Sequence, residues 1–313
     1  MQEQYNKLKQ QHQDAVLLFR LGDFYEAFNE DAELISEILG LTLTGRGKGE
    51  KRIPMAGIPH HALNNYVPKL VEAGIKIAIA DQVEEAVQGQ LVDRQVTKLI
   101  TSGTITDDSS LKAGVNNYIA SVVFRDNNFY VAFADITTGS LSIFETKSVN
   151  NVARELNKLE VSELLSDSLA GNILQNKLKV NILEKEYFNL KDNLAYLKNY
   201  FETETIKGLG ISDESQFVNA IASLLRYGEH TQRKSLNHIT KIEKKNFSDY
   251  MQLDESTIAN LELLYPIQTS GDLKATVFAM INKTLTAMGQ RMLRYWLVNP
   301  LINSEKLQAR LDS

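Results

Sequence analysis

Over its first hundred residues the chain switches between two apolar periods. Residues 1–13 are polar, with an amphipathic helical pattern. The continuous apolar run Ala15-Val16-Leu17-Leu18-Phe19 then predicts a buried strand over 16–19. Ala32, Ile35, Ile38 and Leu39 recur at helical spacing, which predicts a helix over 29–39 with Gly40 as its stop. Residues 41–44 alternate as a strand would. Asn64 or Asn65 is placed to cap a helix that runs to Glu72 and is stopped by Gly74. Pro68 then falls within or just after its first turn, where a missing N–H does limited harm. Strands are also expected over 75–80 and 95–101. Such alternation predicts an α/β first domain.

Residues 102–117 are rich in Ser, Thr, Asp and Gly, the composition of a linker, and the connection proper is placed at 107–116. Strands are expected next over 118–124, 129–135 and 140–145. Asp126-Asn127-Asn128 supplies the first turn, and Gly139 opens the third strand. A helix follows over 149–159. A meander followed by helices suggests a small ribonuclease-H-like fold. Residues 168–210 give no clear pattern. From residue 216 the chain is mostly helical, with Phe217, Ile221, Leu224 and Leu225 on one face. Further helices are expected over 254–264, 275–282 and 288–298, the last closed by Asn299-Pro300, and Ser304 caps another. The expected fold class is therefore multidomain, α/β plus α. An α/β domain spans 1–106, the linker 107–116 and a second α/β domain 117–210, and the first helices of an incomplete all-α domain span 211–313.

Composition changes this picture little. A length of 313 residues fits two or three domains, and 43% hydrophobic with 23% charged residues is ordinary for a globular chain. No apolar run is long enough to span a membrane, and the polar N-terminus lacks a signal-peptide core, so a cytoplasmic location is expected. Cysteine is absent, which excludes disulfides and Cys-ligated metal sites, and the five histidines show no metal-ligand spacing. A net charge of −5 counts against a general nucleic-acid surface. One loop runs the other way: Arg46, Lys48, Lys51 and Arg52 surround the single acid Glu50. It is either a solvated Gly-rich turn or a contact for phosphates, which would position a duplex without reading its sequence.

Candidate chemistry lies where the first apolar run breaks. Gly22-Asp23 interrupts it, Phe24 follows, and Glu26 stands two residues on. After the basic loop comes Ile53-Pro54-Met55-Ala56-Gly57-Ile58-Pro59-His60-His61. Further along stand Asn117-Tyr118-Ile119-Ala120 with Ala134-Asp135-Ile136-Thr137-Thr138-Gly139, then Leu253-Asp254-Glu255-Ser256-Thr257-Ile258-Ala259-Asn260-Leu261-Glu262. Thr286-Ala287-Met288-Gly289-Gln290-Arg291-Met292-Leu293-Arg294-Tyr295-Trp296-Leu297 completes the series.

In this order the motifs resemble the MutS family of DNA mismatch repair proteins: its mismatch-recognition domain, its connector and the opening of its core lever domain. The resemblance covers nearly all of this chain and about the first third of a typical member. It implies that Phe24 wedges beside a mispaired or unpaired base of duplex DNA and that Glu26 hydrogen-bonds it. It also implies a homodimer when full length and a downstream repair partner docked on the connector. The family's ATPase needs a loop of the form G-x-x-x-x-G-K-[ST]. Gly47-Lys48 is followed by Gly49 and opens no such loop, so ATP and Mg2+ are expected only for a domain outside this chain, and no cofactor within it. Leu21 stands where many members have Met, and Ser102 and Val161 where they have Pro, the latter before the Glu-Leu of a connector helix. None of these departures touches Phe24 or Glu26.

The chemistry suits those two residue types. A mispaired step kinks more easily than a paired one, and unstacking costs a few kcal/mol, less where pairing is already defective. A flat apolar ring tests that softness. A carboxylate beside a polyanion has its pKa raised, so a protonated Glu26 can donate to a base, and an ionised one repels correctly paired DNA. Two alternatives stand beside this reading. One is a ribonuclease-H-like nuclease using Asp135, with Asp126, Glu145 and Glu155 as the other nearby acids. The other is a free-standing interaction module without ATPase.

Overall fold

The structure is a computed structural model that describes residues 1–47, 52–82, 93–106, 113–268 and 272–312. It divides into two compact units, residues 1–111 with 227–236, and residues 112–226 with 237–313. The mixed α/β character expected from the sequence holds in both.

In the first unit α1 (Gln2–Gln11) precedes a hairpin of β1 (Val16–Leu21) and β2 (Phe24–Phe28). Next come α2 (Glu30–Leu39), β3 (Thr44–Arg46), β4 (Ile53–Pro59), α3 (Leu63–Glu72), β5 (Ile77–Gln82) and β6 (Arg94–Ile100). The strands form one sheet in the order β3-β4-β2-β1-β5-β6, with only β1 and β5 parallel. Alternation along each strand sorts the side chains between two faces. Val16, Leu18, Tyr25, Ala27, Ala56 and Ile58 face α2 and α3. Leu17, Phe19, Phe28 and Ala80 face α1, whose Tyr5 is buried against Phe19 and Phe28. The buried Asp31 fastens this face, accepting from Tyr5 Oη (3.1 Å), Lys9 Nζ (2.8 Å) and Leu17 N (3.0 Å).

Several local expectations need correcting. The strand expected over 41–44 begins only at Thr44, because residue 41 is spent closing α2, with Leu41 N donating to Ser36 O at 3.0 Å. Asn64 and Asn65 do not cap α3; they lie inside it, after a 3-10 turn over His60–Ala62. Pro68 is thus deeper in the helix than expected, in the second turn. The helix does end at Gly74, where Ile75 N reaches Leu70 O and Gly74 N reaches Val71 O, a Schellman closure.

In the second unit β7 (Tyr118–Arg125), β8 (Asn128–Asp135) and β9 (Ser140–Thr146) form the expected meander. Asp126 and Asn127 make its first turn, both at positive φ as a two-residue hairpin demands. After α4 (Val149–Lys158) comes β10 (Glu163–Ser166), where a helix is expected from the resemblance; Glu163–Ser166 pairs in parallel with β7 instead. Then follow α5 (Ser168–Leu174), β11 (Asn181–Ile182), α6 (Leu190–Tyr200), α7 (Phe217–Gln232), of which residues 217–226 belong to this unit, and β12 (Glu243–Lys244). The sheet order is β11-β10-β7-β8-β9-β12. Residues past 210 therefore open with a helix on this sheet, Ser223 Oγ meeting Ser121 Oγ at 2.7 Å, and a strand that joins it. Helices α8 (Glu255–Asn260), α9 (Val277–Ile281) and α10 (Ala287–Val298) follow around a small core of Leu253, Leu263, Leu264, Phe278 and Val298, and α11 (Ser304–Leu311) comes last. Asn303, not Ser304, caps α11, its Oδ1 accepting from Lys306 N at 3.0 Å.

Candidate functional site

The hairpin that joins β1 to β2 sets the geometry. Leu21 pairs with Phe24, leaving only Gly22 and Asp23 between them. Gly22 sits at φ +58, a value that primed hairpin turns need and that L side chains resist. This turn makes Phe24 the first residue of a strand, an element that the sequence pattern does not reveal because the run Phe24-Tyr25-Glu26-Ala27-Phe28 mixes exposed and buried positions on one face.

Phe24 and Glu26, two apart, share the α1 face of the sheet. α1 covers Phe28 on that face, whereas Phe24 is 46% exposed. Leaving half a phenylalanine in water forgoes about 1 kcal/mol of the roughly 2–3 that full burial gives. Across the strand pair, Glu26 faces Gly57 of β4 and Phe24 faces Pro59. A Cβ at Gly57 would stand 3.6 Å from Phe24 Cδ1 and 3.8 Å from Glu26 Cγ, so glycine keeps the space between them open. On the other side Leu21 and Phe19 of β1 oppose Phe24 and Glu26. Gly57 and Leu21 belong to the site, and strand register is the signal that could have placed them there.

Glu26 is the unusual group. Its Oε2 is buried and accepts no hydrogen bond among the described residues. Among the described residues the nearest cation is Arg46 on β3, with Nη1 3.9 Å from Oε2. That distance allows attraction but is too long for a hydrogen bond. Burial pushes the Glu26 carboxyl above its ordinary value, and Arg46 pulls it part of the way back. Arg46 pairs with Ile53 and so shares this face. Arg52 lies close by: its side chain covers Gly45, where a Cβ would collide with it. Lys48 and Lys51 fall outside the described residues. The structure therefore brings Phe24, Glu26 and Arg46 together on one face, with Arg52 alongside β3.

Tyr25 points the other way. Its hydroxyl donates to Asp81 Oδ1 at 2.7 Å, and burial with that neighbour pushes it up to about 12. Arg20 lies 5.6 Å from the same ring, and its Nε donates to Gly22 O at 2.8 Å. These contacts lock the strand from the α2 side.

Asp135, the acid of the nuclease alternative, is fully buried and engaged. Oδ1 accepts from Thr137 N (2.9 Å), Thr137 Oγ1 (2.6 Å) and Thr138 N (3.3 Å), and Oδ2 from Asn116 Nδ2 (2.8 Å) and Asn117 N (3.3 Å). Its carboxylate holds the β8–β9 turn. Among the described residues no group of three or more His, Cys, Asp or Glu side chains is placed to hold a metal ion. No helix among them is long and apolar enough to cross a membrane.

Comparison with known proteins gives one consistent result. Residues 1–109 match MutS domain I, residues 117–240 match MutS domain II, and residues 256–313 match MutS domain III. The chain is 38% identical over 328 residues to the DNA mismatch repair protein MutS of Alkaliphilus oremlandii, an alignment that covers all of this chain and 37% of the relative. It is 37% identical over 325 residues to the protein of the same name from Salinibacter ruber, covering all of this chain and 36% of that relative. It is 39% identical over 327 residues to that of Ruminiclostridium cellulolyticum, with 100% and 37% covered. The chain thus spans about a third of the length of these relatives.

Proposed function

The chain belongs to the MutS family, and from that premise we propose that it is part of a DNA mismatch repair protein whose first domain reads mispaired or unpaired bases in duplex DNA. Phe24 enters beside the weakened pair and stacks. Glu26 supplies the polar contact to the displaced base, as a carboxylic acid that donates a hydrogen bond. Arg46, Lys48, Lys51 and Arg52 contact phosphates and set the duplex in place. The single observation that carries this reading is the half-exposed Phe24 ring beside a carboxylate whose buried oxygen has no hydrogen bond among the described residues, both on one face of the sheet.

The remaining assignments follow from the same premise. Residues 117 onward form a ribonuclease-H-like connector, which docks a downstream repair partner, and the helices at the end of the chain open an all-α core. The whole protein works as a cytoplasmic homodimer, with ATP and Mg2+ bound outside residues 1–313.

Competition binding of heteroduplex and homoduplex oligonucleotides tests the proposal. Wild type should prefer the heteroduplex. Phe24→Ala should lose that preference, with folding destabilised by only about 1–2 kcal/mol because the ring is half exposed. Glu26→Ala should narrow it. Equal heteroduplex-to-homoduplex ratios in wild type and Phe24→Ala would reject the wedge.

A further inference from the structure

We propose that Arg46 is a positioning residue for Glu26: it stands beside the carboxylate and favours its ionised form in the free chain, and leaves it for duplex phosphate, so that DNA docking is coupled to uptake of a proton by Glu26. This inference rests on the mismatch-binding reading above and adds a charge relay to it. The geometry supplies the argument. Glu26 Oε2 is buried and without a hydrogen bond among the described residues, and the Arg46 guanidinium stands 3.9 Å away on the same sheet face. At that separation the pair is electrostatic and loosely held. The Arg46 side chain is 53% exposed, so it is also within reach of a polyanion arriving at this face.

Among the described residues, the other charged groups around β2 are directed elsewhere. On β1, Arg20 has turned to the Tyr25 face. On β4, Ile53–Pro59 contains no titratable side chain. Arg52, which precedes it, lies over Gly45. On β5, Asp81 is bound to Tyr25 and to Thr97. On β6, Arg94 sits 5.0 Å from the centre of the Phe19 ring and donates to Arg20 O at 2.6 Å. On α1, Lys9 is paired with Asp31. Among the described residues Arg46 is the cation that acts on Glu26, against the desolvation that favours its acid form.

The consequence is a linkage. In the free chain Arg46 favours the carboxylate. Once Arg46 turns to a phosphate, burial and the negative duplex both favour the acid. Solvent supplies the proton, one O–H bond forms on Glu26, and the acid becomes a hydrogen-bond donor when a base is in reach. A group whose proton affinity rises on binding makes binding stronger as pH falls through its range. The duplex therefore arms the reading head by removing its counter-charge.

The test is an NMR titration of the Glu26 side-chain carboxyl carbon, assigned by its loss in Glu26→Gln. It is run on the free chain and again with saturating heteroduplex, at concentrations where weak binding still saturates. In the free chain the midpoint should rise in Arg46→Gln and stay near wild type in Arg46→Lys. Heteroduplex should raise the midpoint in wild type and in Arg46→Lys, and raise it less in Arg46→Gln, where the counter-charge is already gone. The same free-chain midpoint in wild type and Arg46→Gln would overturn the pairing. The same duplex-induced rise in both would overturn the relay. The free-chain arm needs no DNA, so it can fail while mismatch preference survives. A wild type that binds heteroduplex and homoduplex alike rejects the mismatch reading and leaves that arm standing.

Discussion

At the residue scale, Glu26 is in a setting that an ordinary surface acid avoids. Its carboxyl is raised chiefly by burial, with Arg46 opposing. The sign of the stability effect follows. A folded-state value above the unfolded one means that the native chain binds more protons than the unfolded chain through the carboxyl range, so this group erodes stability as pH rises through it. Glu26→Gln removes the titration. The thermal midpoint of the variant should gain on that of wild type as pH climbs from about 4 to 7, and the two should converge below the carboxyl range. A gap that stays constant over that interval would mean that Glu26 is as well solvated folded as unfolded. Phe24 and Glu26 are legible in the sequence only through the separated motifs around them, which resemble the family in order, because an aromatic with a carboxylate two residues on is common by chance. Arg46 as the partner of Glu26 is not, because the two meet only through the pairing of β2, β4 and β3.

At the element scale, the site depends on a tight turn. Gly22 at φ +58 lets β1 reverse in two residues and places Phe24 at the strand's first position. A β-branched residue there meets the left-handed penalty, and Gly22→Val should cost at least about 1–2 kcal/mol. The denaturant midpoint should drop while its slope stays unchanged. Undiminished stability would show that the turn relaxes to another type, and the register Leu21 to Phe24 would then have to shift. Elements with a clean period are readable from sequence: α2, β1 and the β7–β9 meander lie close to where periodicity puts them. Misreadings arise where tertiary contacts outvote local pattern. β2 and β4 carry no strict alternation because the site leaves one face of each partly uncovered. Residues 41–43 do alternate, yet none of them joins a strand, and residue 41 is spent closing α2. β10 is a four-residue buried strand, too short for any period to declare itself.

At the scale of the whole molecule, the proposed function brings a chain of net charge −5 to a polyanion. Long-range steering opposes contact, so local cations must supply it, and their contribution is visible in salt dependence. Each phosphate neutralised steepens the fall of log K with log salt by about 0.9. Arg46 and Arg52, the two described cations of the basic loop, should each account for about one unit of that slope. Arg46→Ala and Arg52→Ala should weaken heteroduplex and homoduplex by the same factor, flatten the slope by about 1 each, and leave the ratio between the two duplexes to Phe24 and Glu26. The measurement is a binding series from about 50 to 200 mM salt on both duplexes. A double variant with the wild-type slope would return the loop to a solvated turn and force the phosphate contacts elsewhere on the chain. A slope that flattens only on the heteroduplex would make the arginines readers of the lesion rather than of the backbone, and the division of labour between the basic loop and the wedge would have to be redrawn.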